Sequence, residues 1–387
     1  MSKRGLMVLI VGVAVLILLA VFGQRGNDTT SSSQGALLIP DLEAALNDVE
    51  RITLVKAGRE PVATLERRPD TWVVVEKSGY RADVAKIRQN FIALAEARIL
   101  EQKTANPQLY DRLGVEDIDG DTAVGIAISL AAGGRELPTL ILGNAEGTKY
   151  RYARRAGEAQ SYLIDRDPDL PRNASQWVDA NIIDVRGQRV QQVTISHPDG
   201  EIVSISKPEP AATAELAGLG VEMNFEVANV PAGRELLYAG VANVIGNALR
   251  ELSLEDVEPV DANADAADQQ QAQEKVVVEF RTFDGLVVRA HGTEQAEGAW
   301  VRFEASFSAE QAAQFAAVAP AASDVSSDEA PTSDPEIDED GADNSAISAS
   351  AEAQRINQRV TGWRYRIAGY QYDQMTRRMT DLLKPAA

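Results

Sequence analysis

The chain contains no cysteine and only two histidines in 387 residues. The first absence removes disulfides, thiolate nucleophiles, iron–sulfur clusters and cysteine-ligated zinc together. The second leaves little room for imidazole chemistry. His197 stands at a turn beside Pro198, and His291 ends a strand before Gly292. Neither is accompanied by a nucleophile signature, so both read as ordinary surface or strand-end histidines. The P-loop, the dinucleotide glycine fingerprint, His-Glu-x-x-His and Gly-x-Ser-x-Gly are all missing. Positive charge is also scarce: 38 Lys and Arg face 58 Asp and Glu, a net charge of −20. Binding nucleic acid requires clustered cations that release counterions from phosphates, so nucleic acid is not an expected partner. Aromatics make up 5%, and Trp72, Trp177, Trp300 and Trp363 read as core packing.

What the sequence does have is one long apolar run. Lys3 and Arg4 precede residues 6–22, which carry no charge. Such a helix roughly spans a hydrocarbon core of about 30 Å. The basic flank comes first, so the N-terminus is expected in the cytoplasm and the body outside it, periplasmic or extracytoplasmic. A cleaved signal peptide is the competing reading, although its apolar region is usually shorter. Residues 1–26 are therefore taken as cytoplasmic start and anchor in a bacterial inner membrane. Residues 27–40, with their Asn, Asp, Thr and Ser run, are taken as a tether.

Beyond residue 40 the pattern of elements occurs twice. In residues 41–186 a hairpin around Gly58 (51–56 and 62–67) leads to a strand at 71–76. A helix follows over 83–100, capped by Asp83 and carrying Ile87, Phe91 and Leu94 on one face. Strands are predicted at 123–130, 138–142, 149–153 and 160–164. In residues 187–387 a hairpin (190–196 and 201–206) turns at Asp199-Gly200. An extended stretch at 225–227, a helix over 233–252, and strands at 275–281, 286–291, 299–305 and 363–368 follow. A helix over 370–383 closes the chain. The expected fold class is α+β: an N-terminal transmembrane helix, then two duplicated modules of mainly antiparallel sheet, each with a packed amphipathic helix. Acidic inserts interrupt the second module at 261–274 and 320–352. The latter holds ten Asp or Glu and no Lys or Arg, and is expected to be disordered.

The stretch Asn106-Pro107-Gln108-Leu109-Tyr110-Asp111-Arg112-Leu113-Gly114, with Tyr152-Ala153-Arg154-Arg155 and Trp177-Val178-Asp179, resembles the bacterial domain of unknown function 4340 family. The resemblance covers residues 41–193 best. It implies one N-terminal span and genes often placed beside ABC-type transport proteins similar to those named for gliding motility. It implies no activity, so no functional residue carries over.

Candidate sites are few. Asp117, Asp119 and Asp121 around Gly120 have the look of a calcium loop, but Ile128 occupies the closing position where Glu is needed. No cofactor or metal is expected. Arg151, Arg154 and Arg155, with Arg364 and Arg366 on what the duplication makes the equivalent strand, form a basic cluster in an acidic chain. They offer a patch for an anionic ligand or acidic partner, or else a solvated strand face paired with neighbours such as Glu158. Three functions stay open. One is a non-enzymatic accessory or scaffold protein, held at the membrane beside other envelope proteins or ABC-type transporter components. The second is a ligand-binding module with its site between the two repeats. The third is a carboxylate-dependent envelope hydrolase.

Overall fold

The computed structural model describes residues 34–207, 223–260, 275–316 and 349–385. They divide into two compact units, one ending at Asp179 and the other beginning at Ala180. Each is a mainly antiparallel sheet with helices, an α+β arrangement. The apolar run at 6–22 lies outside the described residues, and no helix among those described is long and apolar enough to cross a membrane.

The first unit opens with a short helix α1 (Leu42–Ala45). The hairpin β1 (Val49–Lys56) and β2 (Glu60–Arg67) follows, then β3 (Trp72–Val74) and β4 (Tyr80–Arg81). Helix α2 (Val84–Ala95) is capped by the Asp83 carboxylate, which accepts from the Lys86 N–H at 2.9 Å. The remaining elements are β5 (Ile99–Gln102), α3 (Tyr110–Leu113), β6 (Ile126–Ala132), β7 (Arg135–Glu136), β8 (Leu140–Glu146), β9 (Tyr150–Arg155) and β10 (Ser161–Ile164). The helix predicted to reach residue 100 stops at Ala95, because residues 99–102 leave it to pair with β10 at the sheet edge. The folded body also starts earlier than the predicted tether end. Gly35 and Leu38 bond to Ile99 and Ala97 at 2.7 and 2.8 Å, and Leu38 and Ile39 are buried.

The second unit contains β11 (Asn181–Ile183), β12 (Val190–Ser196), β13 (Ile202–Ser206), β14 (Glu226–Val227), α4 (Asn243–Gly246), β15 (Leu252–Pro259) and β16 (Val276–Thr282). After these come β17 (Leu286–Gln295), β18 (Gly298–Phe307), α5 (Ala309–Ala316), α6 (Ala349–Val360), β19 (Trp363–Ile367), α7 (Gly369–Met375) and α8 (Met379–Leu382). β11 pairs with β15, so residues 181–183 sit in the second sheet rather than in the first module, where a junction after 186 had placed them. The helix predicted over 233–252 shrinks to α4. Gly233 and Gly240 take φ of 77° and 81°, which breaks a helix, and Leu252 begins a strand instead. The closing helix is broken at Thr376 into α7 and α8. Of the acidic stretch expected to be disordered through Glu352, residues 349–352 instead begin α6, which buries Ala349, Ala353 and Val360. Residues 261–274 and 320–348 lie outside the described set.

The two sheets share one connectivity. The first runs β4-β3-β2-β1-β6-β8-β9-β10-β5. Taken from β14, the second runs β14-β13-β12-β16-β17-β18-β19-β15-β11. In both, the hairpin and third strand lie at one end. The strand after the helix crosses to the far side, and four strands then fill the gap. Two of the irregularities recur as well. β1 slips against β6 between Val49 and Arg51, and β12 slips against β16 between Val190 and Gln192. β5 and β10 slip at Leu163/Ile164, and β15 and β19 slip where Arg366 meets Ile367. A bulge costs a ladder bond and re-aims the strand, so two bulges at matching places are strong registration marks. Following the ladders from these marks sets Ala127 against Val277, Ile141 against His291 and Arg154 against Arg302.

Candidate functional site

The cluster of basic residues proposed from sequence is the natural place to look for chemistry, and β9 supplies its first three members. Arg154 is almost wholly buried, with 3% of its side chain exposed. Burying a guanidinium is tolerated only when its donors are satisfied, and here they are. Nε donates to the Val115 carbonyl at 2.8 Å, Nη1 to the Glu158 carbonyl at 3.0 Å, and Nη2 to Asp117 Oδ1 at 2.5 Å. The guanidinium also lies over the Tyr110 ring, 4.6 Å from its centroid.

Tyr110 and Val115 belong to the stretch that carries the family resemblance, and Arg154 holds that stretch on the sheet. Asn106 caps its first turn, accepting from the Gln108 N–H at 3.1 Å, and Pro107 needs no donor there. Gly114 ends α3 at φ 69°, in the left-handed region that favours glycine. Tyr110 and Val115 then pack on Ala127 and Ile141, flanked by Leu113, Ile118 and Tyr152. The Tyr110 hydroxyl donates to the Ala159 carbonyl at 2.5 Å. The approach is close: a Cβ at Gly143 would stand 2.2 Å from the Leu113 carbonyl oxygen. Ser161 fastens the start of the connection by donating to the Thr104 carbonyl at 2.7 Å and accepting the Thr104 N–H at 3.0 Å.

The other candidate arginines are likewise engaged. Arg151 donates to Asp167 at 2.5 Å and to the Gly143 carbonyl at 2.7 Å. Arg155 donates to the Leu38 carbonyl at 2.9 Å and to Glu158 at 3.1 Å. In the second unit Arg364 bonds to Glu258 at 2.5 Å and stacks on Trp300 at 4.8 Å. Arg366 lies 3.7 Å from Glu255. The structure thus gathers Arg151, Arg154 and Arg155 on one strand. Arg364 and Arg366 lie on β19, whose counterpart is β10 rather than β9. The true counterpart of Arg154 is Arg302, which sequence spacing did not single out.

The carboxylates behave as salt-bridge partners. Asp117 faces Arg154 and Asp119 faces Arg59 at 2.5 Å, so two of the three acids of the calcium-like loop point to different arginines. The Asp119 carboxyl is held below its ordinary range by the Arg59 hydrogen bond. Asp284 is also lowered: burial opposes its charge, but the Thr282 hydroxyl and the Arg189 guanidinium outweigh that. Tyr152 is shifted upward, to about 12, chiefly because its hydroxyl donates to the Glu146 carboxylate at 2.5 Å. His197 is buried, not at the surface as expected, while His291 lies within β17, 3.5 Å from Glu304. A cavity of 260 Å³ in the second unit is lined by Asp184, Arg186, Gln188, Asn247, Arg250 and Glu251, with both signs of charge represented.

No curated protein and no solved structure matches the chain. One family model does, over residues 72–273, from β3 of the first unit to just before β16 of the second. With more than half the chain matched, on a stretch that includes the motif clamped by Arg154, the protein belongs to the family described as Domain of unknown function (DUF4340).

Proposed function

We propose that this protein is a non-catalytic accessory or scaffold. In this reading a membrane anchor at residues 6–22 holds two copies of one α+β unit on the extracytoplasmic side, where they dock to envelope partners, including components of an ABC-type transport system. The observation that carries it is the use made of Arg154. The most distinctive stretch of the sequence and the central arginine of its basic cluster are spent on closing one face of a sheet. A residue with each of its three guanidinium nitrogens hydrogen-bonded to the fold is positioned for architecture, not for turnover. Matching strand order and matching bulges support descent of the two units from one duplicated ancestor.

A carboxylate-dependent hydrolase has less support. A general acid needs a carboxyl pushed upward by burial. Asp119, Asp199, Glu235, Glu279 and Asp284 are all displaced downward, toward the permanently charged form.

Two measurements test the proposal. A reporter enzyme active only outside the cytoplasm, fused after residue 387, is expected to report activity; silence there, with a cytoplasmic reporter active, removes the anchored topology. In-cell crosslinking followed by gentle solubilisation is expected to capture envelope proteins reproducibly. Recovery of the protein alone would defeat the scaffold role.

A further inference from the structure

Matching the two units strand by strand shows where the second departs from the first. The register that sets Arg154 against Arg302 ends β9 opposite Phe303, so β18 overshoots its counterpart by four residues, Glu304 to Phe307. β17 pairs with this overhang on one side, from Leu286 opposite Phe307 to Arg289 opposite Glu304. On the other side β19 reaches only Ala299 to Val301, and among the described residues no strand flanks the overhang. A strand edge without a neighbour presents main-chain donors and acceptors on which another strand can form.

Helix α6 fills that place. It lies along β18, and its Asn357 side chain meets Ala305 as a neighbouring strand would. Asn357 Oδ1 accepts the Ala305 N–H at 2.9 Å, and Nδ2 donates to the Ala305 carbonyl at 2.6 Å. Paired residues of an antiparallel ladder exchange the same two hydrogen bonds. A planar amide carrying both donor and acceptor imitates the main chain in this way. The rest of the hold on α6 comes from small side chains and polar contacts. The helix buries Ala349, Ala353 and Val360. At its start Glu352 takes two hydrogen bonds from Arg189, at 3.0 and 2.6 Å. Near its end the Tyr365 hydroxyl donates to the Arg359 carbonyl at 3.3 Å. The first unit has no such helix, since residues 156–160 alone connect β9 to β10.

We infer that Asn357 is an edge guard: α6 and its amide occupy the main-chain position at Ala305 that an added strand would take. The strand excluded is the same overhang of a second copy of this chain. Antiparallel pairing about Ala305 sets Phe303 against Phe307 and Glu304 against Ser306, so aromatic meets aromatic and no like charges are opposed. Phe307 is already 43% exposed at the end of the overhang. The inference goes beyond the scaffold reading and is independent of it, because every contact it uses lies within the second unit.

The test uses the full-length protein in detergent. A fluorescent synthetic peptide of residues 302–308 stands in for the second copy, and amide hydrogen exchange is the second readout. In the Glu352→Gln/Asn357→Ala variant, affinity for the peptide should rise at least about tenfold over wild type. The bound peptide should slow exchange in residues 302–307 of that variant. Adding Ala305→Pro removes the N–H with which the peptide must pair, and should abolish the gain. Unchanged exchange in β12 and β16 shows that the sheet is folded. If it is lost, the single Asn357→Ala variant carries the same comparison. Equal affinity in wild type and variant overturns the inference. So does a gain that survives Ala305→Pro, which would mark a sticky surface instead of a strand edge. Faster exchange across residues 302–307 with no protection by about 1 mM peptide also overturns it, since the edge would then be open and recruit nothing.

Discussion

In the first unit the row Ala127, Ile141, Arg154 is dry. Its guanidinium meets two carbonyls, a carboxylate and a tyrosine ring, and the connection above it is locked down. In the second unit the matching row Val277, His291, Arg302 lies on the same strands of the same sheet, yet a histidine stands where Ile141 stood and neighbouring arginines reach solvent. The backbone ladder is repeated, with two of its bulges, while the side chains along this row are not. Strand order is held by backbone hydrogen bonds that tolerate any side chain with strand geometry. The side chains of a row can therefore change without disturbing the sheet.

The largest expected effect tests this contrast head-on. Arg154→Met removes the donors of a buried network and should destabilise the first unit by about 3 kcal/mol, the usual cost of breaking a buried charged pair. Arg302→Met, at a half-buried position, should cost the second unit no more than about 1 kcal/mol. Urea unfolding of both variants measures it, and equal losses would break the comparison.

Smaller, but of the same kind, is the difference between two strand glycines. A Cβ at Gly143 meets the Leu113 backbone oxygen at 2.2 Å, whereas one at Gly292 meets the Tyr372 ring at 2.6 Å. A ring can rotate and a docked backbone cannot. Gly143→Ala should cost about 2 kcal/mol and Gly292→Ala about half as much, read as thermal shifts.

The second unit has a clamp of its own, and acid should loosen it. Arg189 bonds to Glu352 at the start of α6 at 2.6 Å and to Asp284 at 2.7 Å. The Asp284 carboxyl sits below its ordinary value of 3.8. A depressed carboxyl contributes stability that is complete above the ordinary value and is lost as pH falls through the lower, folded one. The wild type and Asp284→Asn should therefore converge in melting temperature as pH drops below about 3.8, and hydrogen exchange in α6 should quicken in Arg189→Gln by roughly tenfold, the equivalent of about 1 kcal/mol. A constant gap between wild type and variant across that range would remove Asp284 from the clamp.

The smallest effect concerns Tyr152, whose counterpart is Trp300. Its phenol, held neutral by Glu146, is raised from 10.0 to about 12. A raised value means the contribution is whole below the unfolded pKa and disappears as pH rises through the folded one, so the window lies between 10.0 and about 12. Ultraviolet titration of Glu146→Gln should bring that tyrosine back toward 10.0, and an unchanged profile would show that the hydrogen bond is not the cause.

Much of the ladder was legible because its strands alternate. Ile52 and Leu54, like Val193 and Ile195, put one apolar face inward at the period of a strand. β5 at its sheet edge and β15 between β11 and β19 were not legible: each follows a helix or turn run without a break in apolar content, and each carries a bulge that spoils alternation. The stretch at 233–252 shows a helical stripe, but its glycines take left-handed geometry and only α4 forms. The candidate site was half legible. Arg154 stood out as a cation in an acidic chain, and Tyr110 as part of a distinctive run. Their meeting, and the pairing of Arg154 with Arg302 instead of with residues of β19, depends on register across several strands, which no local pattern encodes.

By itself the sequence determined composition-level facts and local geometry: no cysteine chemistry, an acidic surface, an uncharged apolar run at residues 6–22, the hairpins, and two successive blocks of one element order. These follow from side-chain chemistry and from periods of two or 3.6 residues, which act over short stretches. Only the tertiary structure decided how one face of the first sheet is sealed. That outcome turns on contacts between residues such as Tyr110 and Arg154, far apart in the chain, where a single guanidinium can be buried only if distant backbone carbonyls arrive to meet it.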